Sequence, residues 1–295
     1  MSDIKSRVTQ IANLVTSSIA PKVQDPNEIP WNPDNEVFPT LDNLPKIQGS
    51  PEGAAWVWGK DDQVGHSSGV FYNGATADSI KSSSATSGSS SYPAGINHIA
   101  EHGIVSRAIL LDYHTWSQNP NNTSASIHPF HRDPVSLSSL LACAQSQGLN
   151  LTPAATGGDV KPGDILLIRL GWTAHYRSLS PSVWQQDYAE RDKAQQVWAG
   201  LDGASAELRA WIHDCYFAAV ASDVPALEAW PPADYSQCLH TSLLPLWGCL
   251  IGEFFDLERL SELCRRQKRW TAFFSSMPPN VKGGVGGWPN AMAVL

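Results

Sequence analysis

Several familiar signatures are missing from this sequence, and each absence removes a class of function. Lys and Arg number 20 against 28 Asp and Glu, a formal net charge of -8, and no run of basic residues forms a strip that could neutralise phosphates. Nucleic acid is therefore not expected as a partner. No stretch approaches the roughly 18 consecutive apolar residues of a spanning helix, and the opening MSDIKSRVTQIANLVTSSIAPK lacks an uninterrupted apolar h-region. The expectation is a cytoplasmic protein with no membrane association. The five cysteines (Cys143, Cys215, Cys238, Cys249, Cys264) are odd in number, widely spaced and never arranged as C-x-x-C, which argues against a disulfide framework and a structural zinc site. There is no G-x-S-x-G elbow, phosphate loop or dinucleotide fingerprint, and Gly283-Gly284-Val285-Gly286-Gly287 reads as a flexible turn. Charged residues are scarce at 16%, but 42% hydrophobic residues in a chain of 295 suffice for a sizeable buried core.

What is present divides into an N-terminal arm, residues 1–50, and a body, residues 51–295. Residues 1–20 read as a loosely amphipathic helix ended by Pro21, followed by a Pro- and Asp-rich stretch whose Ile29, Trp31, Val37, Phe38, Leu41 and Leu44 suit docking on the body or on a second subunit. Lys81 to Ser91 is low in complexity and reads as a surface loop. Four apolar runs read as buried strands: Ile104 to Asp112, Ile165 to Gly171 after the turn Lys161-Pro162-Gly163-Asp164, Cys215 to Ala221 ending at Ser222-Asp223, and Leu246 to Phe255. Helical spacing is expected at Ile96 to His102, at Leu137 to Gln147 with Gly148 as the stop, around Trp184 to Trp198, and at Ser205 to His213. It is also expected after Asp256, which can cap a helix carrying Leu257, Leu260 and Leu263. Strands alternating with helices indicate an α/β fold with a mixed or parallel sheet.

The best candidates for chemistry are His240 and Glu253, each at the border of a strand-like run where loop backbone presents side chains to a cleft. Imidazole and carboxylate together suit zinc or manganese, either of which lowers the pKa of bound water to about 7. Other constellations compete. His98-Ile99-Ala100-Glu101-His102 fits the H-x-x-E-H pattern of inverted zinc proteases, but Gly103 ends that helix at once. His128 and His131 fall in a loop broken by Pro129 and Pro134. Cys215 and Cys238 sit in apolar company, where thiols are inert packing. Asp223 closes a strand at the edge where α/β sheets bind ligands, so it either lines a pocket or caps the next turn. Among twelve tryptophans, Trp58 and Trp172 are the candidate pocket walls.

The text around His240 and Glu253 adds a resemblance. Leu239-His240-Thr241-Ser242-Leu243-Leu244 followed by Gly252-Glu253-Phe254-Phe255-Asp256-Leu257 resembles the C-terminal signature of the cyclase and arylformamidase-like family, the kynurenine formamidase type of metal-dependent hydrolase. Trp58-Gly59-Lys60-Asp61-Asp62, Phe71-Tyr72-Asn73-Gly74, Gly103-Ile104-Val105-Ser106-Arg107, Gly163-Asp164-Ile165-Leu166 and Pro289-Asn290-Ala291 resemble its longer fungal branch in particular. The resemblance implies a swivelling β/α/β fold with a mixed sheet and surrounding helices, and a homodimer. It also implies a small-molecule substrate and a divalent metal, zinc or manganese, held by His240 and Glu253. The implied activity is metal-assisted hydrolysis of an aryl formamide, amide or lactone, or ring closure in secondary-metabolite biosynthesis.

The chain departs from that pattern at one place. The family's N-terminal metal motif, H-x-G-T-H-x-D-x-P-x-H in the bacterial type, has no counterpart here, and Trp58 to Gly65 runs almost directly into His66 to Gly74. An internal deletion near 65–66 is the expectation. His66 is then either a survivor of that motif, serving as the catalytic proton shuttle, or an exposed loop residue. The alternative to an enzyme is a catalytically degenerate relative serving as a binding or partner subunit, or a mis-assembled gene product.

Overall fold

The structure, a computed structural model, describes residues 39–44, 50–55, 75–76, 92, 94–193 and 197–295. His66, Trp58, most of the N-terminal arm and the loop read at Lys81 to Ser91 lie outside the described residues.

Eight strands are described. Six form one mixed sheet: β1 (Ile104–Leu111), β3 (Ile165–Ile168), β5 (Ala219–Ser222), β6 (Leu250–Gly252), β7 (Thr271–Ser276) and β8 (Ala291–Val294). Their order is β6-β5-β3-β1-β7-β8, and a separate two-stranded ladder joins β2 (Pro134–Val135) to β4 (Gly200–Leu201). β1, β3, β5 and β6 run parallel, whereas β7 pairs antiparallel with β1 and β8 antiparallel with β7.

The period-two alternation of the parallel strands explains why they read as unbroken apolar runs. Ile109, Leu111, Leu166, Ile168 and Val220 enter one core, with Leu140 and Leu208 from the helices Leu137–Ser146 and Ala206–Asp214. Ala108, Leu110, Ile165, Leu167, Ala219 and Ala221 enter a second core on the opposite face, where Leu260 and Cys264 of the helix Glu258–Gln267 cover them. A strand buried on both faces has no polar side to reveal it, and each fully buried Leu or Ile contributes roughly 1.5–3 kcal/mol. This is the mixed α/β architecture expected from the sequence.

Element boundaries differ where a turn intervenes. The strand read from Cys215 begins only at Ala219, because Cys215 caps the preceding helix and Tyr216 turns with a φ of 51°. The run at Leu246 to Phe255 narrows to Leu250–Gly252. The helix expected after Asp256 begins at Glu258, whose backbone N–H donates to the Asp256 carboxylate at 3.3 Å. Neither β7 nor β8 was anticipated. Among the described residues no helix is long and apolar enough to cross a membrane.

Candidate functional site

Parallel strands deliver their C-terminal ends to a common edge, and the residues that follow them build the site. Arg169 to Trp172 follow β3, Asp223 follows β5, and Glu253 and Phe254 follow β6. His240 arrives from the short helix Leu239–Leu243.

His240 and Glu253 meet, with His240 Nε2 3.3 Å from Glu253 Oε1. The other ring nitrogen, Nδ1, lies 2.9 Å from both carboxylate oxygens of Glu228. Glu253 Oε1 also accepts the backbone N–H of Leu227, which fixes its orientation. The imidazole is therefore strung between two carboxylates, one buried at 1% exposure and the other partly open to solvent. Burial opposes charge on His240, but the hydrogen bonds and charges of Glu228 and Glu253 outweigh it and push its pKa up to about 10. Burial likewise acts to raise the Glu228 pKa, yet the bond to His240 holds that carboxyl below its ordinary value. Sequence reasoning missed Glu228. Its signal was an acid isolated in the apolar segment Pro225-Ala226-Leu227-Glu228-Ala229-Trp230, which has to find a cationic partner to be buried.

Phe254, the chain neighbour of Glu253, helps wall a cavity of about 370 Å³ with Phe130, Trp172, Trp184, Tyr188 and Trp198, and His240, Glu253 and Glu228 are not among its lining residues. Trp172 stacks on Tyr176 with ring centroids 5.1 Å apart and meets Phe254 edge-on at 5.0 Å. Phe254 adjoins Glu253 in the chain, has a φ of 55° and donates its backbone N–H to Val224. Positive φ is strained for an aromatic residue, and such strain gathers at functional sites. His128 packs against His131 and His175, with centroids 4.1 and 4.8 Å away, and His175 meets Phe130 at 4.6 Å.

Asp223 is fully buried, and its carboxylate accepts the backbone N–H groups of Leu170 at 2.7 Å and Gly171 at 2.8 Å. It stitches the end of β5 to the turn after β3 and is not a wall of the cavity. Burial pushes its pKa up to about 6 against those two N–H donors and the nearby Arg169 charge. Gly171 itself turns with a φ of 92°, and a Cβ there would run into the ring of His114. A second charged cluster sits beside it. Arg169 grips Glu258 with two parallel bonds of 2.8 and 2.7 Å and reaches Asp112 at 2.7 Å, while Ser261 donates to the other Asp112 oxygen at 2.6 Å.

His98 Nε2 pairs with the Tyr92 carbonyl at the start of a seven-residue helix. All five cysteines are free and buried, and burial pushes the Cys215 thiol up to about 12 and the Cys238 thiol up to about 11.

The fit of a divalent ion can be judged from the donors. A separation of 3.3 Å between Nε2 and Oε1 suits two ligands of one tetrahedral ion, and an outer carboxylate on Nδ1 is the usual support of a ligating histidine. Two donors are too few, however. Among the described residues no group of three or more His, Cys, Asp or Glu side chains could hold a metal. The described residues thus do not by themselves fit the zinc or manganese that the sequence led us to expect.

No family model and no curated protein matches the chain. Among solved structures it is similar to the crystal structure of a novel cyclase, with 25% identity, a TM-score of 0.60, and coverage of 78% of this chain and 65% of that one. The chain therefore spans about 65% of the length of that cyclase. Fainter likenesses join it to isatin hydrolase A from Labrenzia aggregata, solved with benzyl benzoate (16% identity, 68% of this chain and 65% of that one, TM-score 0.45). Another is isatin hydrolase A from Ralstonia solanacearum (15% identity, 66% and 61% coverage, TM-score 0.44). The fold is cyclase-like, a six-stranded mixed sheet with surrounding helices.

Proposed function

We propose that the protein is a hydrolase or cyclase acting on the carbonyl group of an aromatic compound held in the cavity next to Phe254. The observation that carries this reading is the single imidazole strung between two carboxylates at the carboxyl edge of the parallel strands. The cyclase-like fold supports it. Aromatic walls bind the ring and exclude water from one side of the carbonyl. Glu253 takes the proton of an attacking water, or of a hydroxyl on the substrate itself, as oxygen bonds to the carbonyl carbon. His240 donates its Nε2–H to the carbonyl oxygen as negative charge gathers there, with Nδ1 kept on Glu228. Glu253 then returns the proton to the departing nitrogen or oxygen as that bond breaks. Aryl formamides, aryl amides and lactones fit this chemistry, and ring closure is the same sequence with an internal nucleophile. The zinc or manganese that the sequence resemblance implies would polarise the same carbonyl. With two donors among the described residues, no step is assigned to it.

The donor count also favours a second reading, a relative that binds an aromatic ligand without turning it over. Assays of the full chain on formanilide, an aryl acetamide and an aromatic lactone separate the two. Turnover that falls at least about a hundredfold in both His240→Gln and Glu253→Gln supports the enzyme, since a positioned acid or base contributes roughly 10²–10⁴-fold. Tight ligand binding without turnover on any of the three supports the binding protein.

A further inference from the structure

One face of the six-stranded sheet is covered over only part of its width. Alternation along β1 puts Val105 and Arg107 on the same face as Ile109 and Leu111, which enter the core beneath the helices Leu137–Ser146 and Ala206–Asp214. The strand register carries that face outward in two rows, Val105 opposite Ser275 with Met292 beyond it, and Arg107 opposite Phe273 with Val294 beyond it. Four apolar side chains of these rows stand in the open: Val105 is 67% exposed, Met292 58%, Phe273 53% and Val294 46%. The reverse side of the same strands is closed, since Ala272, Phe274 and Ala293 pack into the second core with Leu260 and Cys264. A contiguous apolar patch of this kind marks a docking surface.

Two observations indicate the occupant. The first is where the N-terminal arm joins the body. Leu41 and Leu44 pack against the core of this same face, the Leu41 backbone N–H donates to Asp214 at 2.8 Å, and the Tyr216 hydroxyl donates to the Pro39 carbonyl. Tyr216 is tied to the patch by direct bonds: its carbonyl accepts from the Gly163 N–H, and the Gly163 carbonyl accepts from the hydroxyl of Ser106, the neighbour of Val105. Ile29 and Trp31 lie eight to ten residues before Pro39, a span of roughly 26–36 Å when extended, which crosses several strands about 4.8 Å apart.

The second observation is charge. β1 and the segment from Lys268 to Leu295 carry Arg107, Lys268, Arg269 and Lys282 and not one Asp or Glu, in a chain of net charge -8. Residues 23–38 carry Asp25, Glu28, Asp34 and Glu36 and no Lys or Arg. Pro26, Pro30 and Pro33 disfavour a helix there, and an extended course suits a sheet face.

We infer that residues 23–38, outside the described residues, fold back in cis over the outer face of β1, β7 and β8. Ile29 and Trp31 cover the apolar patch, and the carboxylates of the arm lie among the Lys and Arg side chains around it.

The Met292 sulfur reports on that cover, because hydrogen peroxide oxidises a methionine that it can reach. Oxidation is followed by peptide mass spectrometry on the full chain, with N-acetylmethionine in the same tube giving the unhindered rate. Met292 of the wild type should react at least about tenfold more slowly than the free compound, and in Ile29→Asp/Trp31→Asp within about threefold of it. From the other side, Phe273→Asp should release the arm, so that a glutamate-specific protease cuts after Glu28 and Glu36 at least about tenfold faster than in the wild type. Should Phe273→Asp fail to fold, the arm variant decides alone, since its two changes lie outside the sheet. Wild-type Met292 reacting within about threefold of N-acetylmethionine overturns the inference. So does protection that survives in the arm variant, which would mean that something else covers the patch, and so does protection that vanishes on dilution, which would assign the cover to a second copy.

Discussion

Two charged clusters lie at the same edge of the sheet and are built to opposite ends. Around Arg169, every partner is spoken for: Glu258 takes two bonds, Asp112 takes one from Arg169 and one from Ser261, and the guanidinium is only 8% exposed. Around His240, the charge is paired on the inside by Glu228 and faces Glu253 on the side that opens toward solvent. Burial tends to lower the Arg169 pKa and raise the Asp112 pKa, but the Glu258 and Asp112 partners prevail at Arg169, and the Ser261 hydrogen bond with the Arg169 charge prevails at Asp112, so both stay ionised. The fully bonded cluster holds the ends of β1 and β3 together. The open one leaves its imidazole and its outer carboxylate partly exposed to solvent, the arrangement that the proposed acid–base chemistry uses.

The sharpest way to break this comparison is Arg169→Met, which leaves buried Asp112 with only the half-exposed Arg265, at 3.4 Å, as a cation. Loss of one partner of a buried pair costs about 3–5 kcal/mol, and urea unfolding should show a fall of that size. Next in size is a pH effect at Asp223. Its folded pKa of about 6 lies above that of the unfolded chain, so protonation favours the fold. The resulting stability is complete below roughly pH 4 and is lost as pH rises through about 6, a change on the order of 2–3 kcal/mol that Asp223→Asn should abolish. Gly171→Ala forces a side chain into the left-handed region and onto His114, and overpacking of that kind costs roughly 1–3 kcal/mol in the same unfolding assay. Smallest is Glu253→Gln, on the open cluster, which should cost under about 1 kcal/mol. A stability loss there as large as that of Arg169→Met would erase the distinction between the two clusters.

How much of this was legible in the sequence follows from the same physics. β1 and β3 announced themselves because both faces are buried and their apolar runs are continuous. β7 and β8 did not, since Thr271–Ser276 alternates buried with exposed positions and Ala291–Val294 is a short, largely exposed edge strand. His240 and Glu253 could be singled out from their places at the borders of strand-like runs, and the fold brings them together. Glu228 offered only its isolation in an apolar segment, because its partner comes from a helix twelve residues further on. Trp184 was hidden in a helix of polar composition, where nothing local indicates that one face meets an aromatic cavity. Asp223 was rightly located at a strand end, yet its two acceptor bonds to a neighbouring strand's turn are a tertiary fact that no local pattern encodes.

The central claim is that Glu253 performs proton transfer on a ligand bound by the aromatic wall, and steady-state kinetics of two variants test it most directly. On whichever aryl carbonyl substrate the wild type turns over, Glu253→Gln should lower kcat about a hundredfold with KM nearly unchanged, while Trp172→Ala should raise KM and leave kcat within a few-fold. A kcat untouched by Glu253→Gln, or a wild type inert toward formamide, amide and lactone alike, would contradict the account.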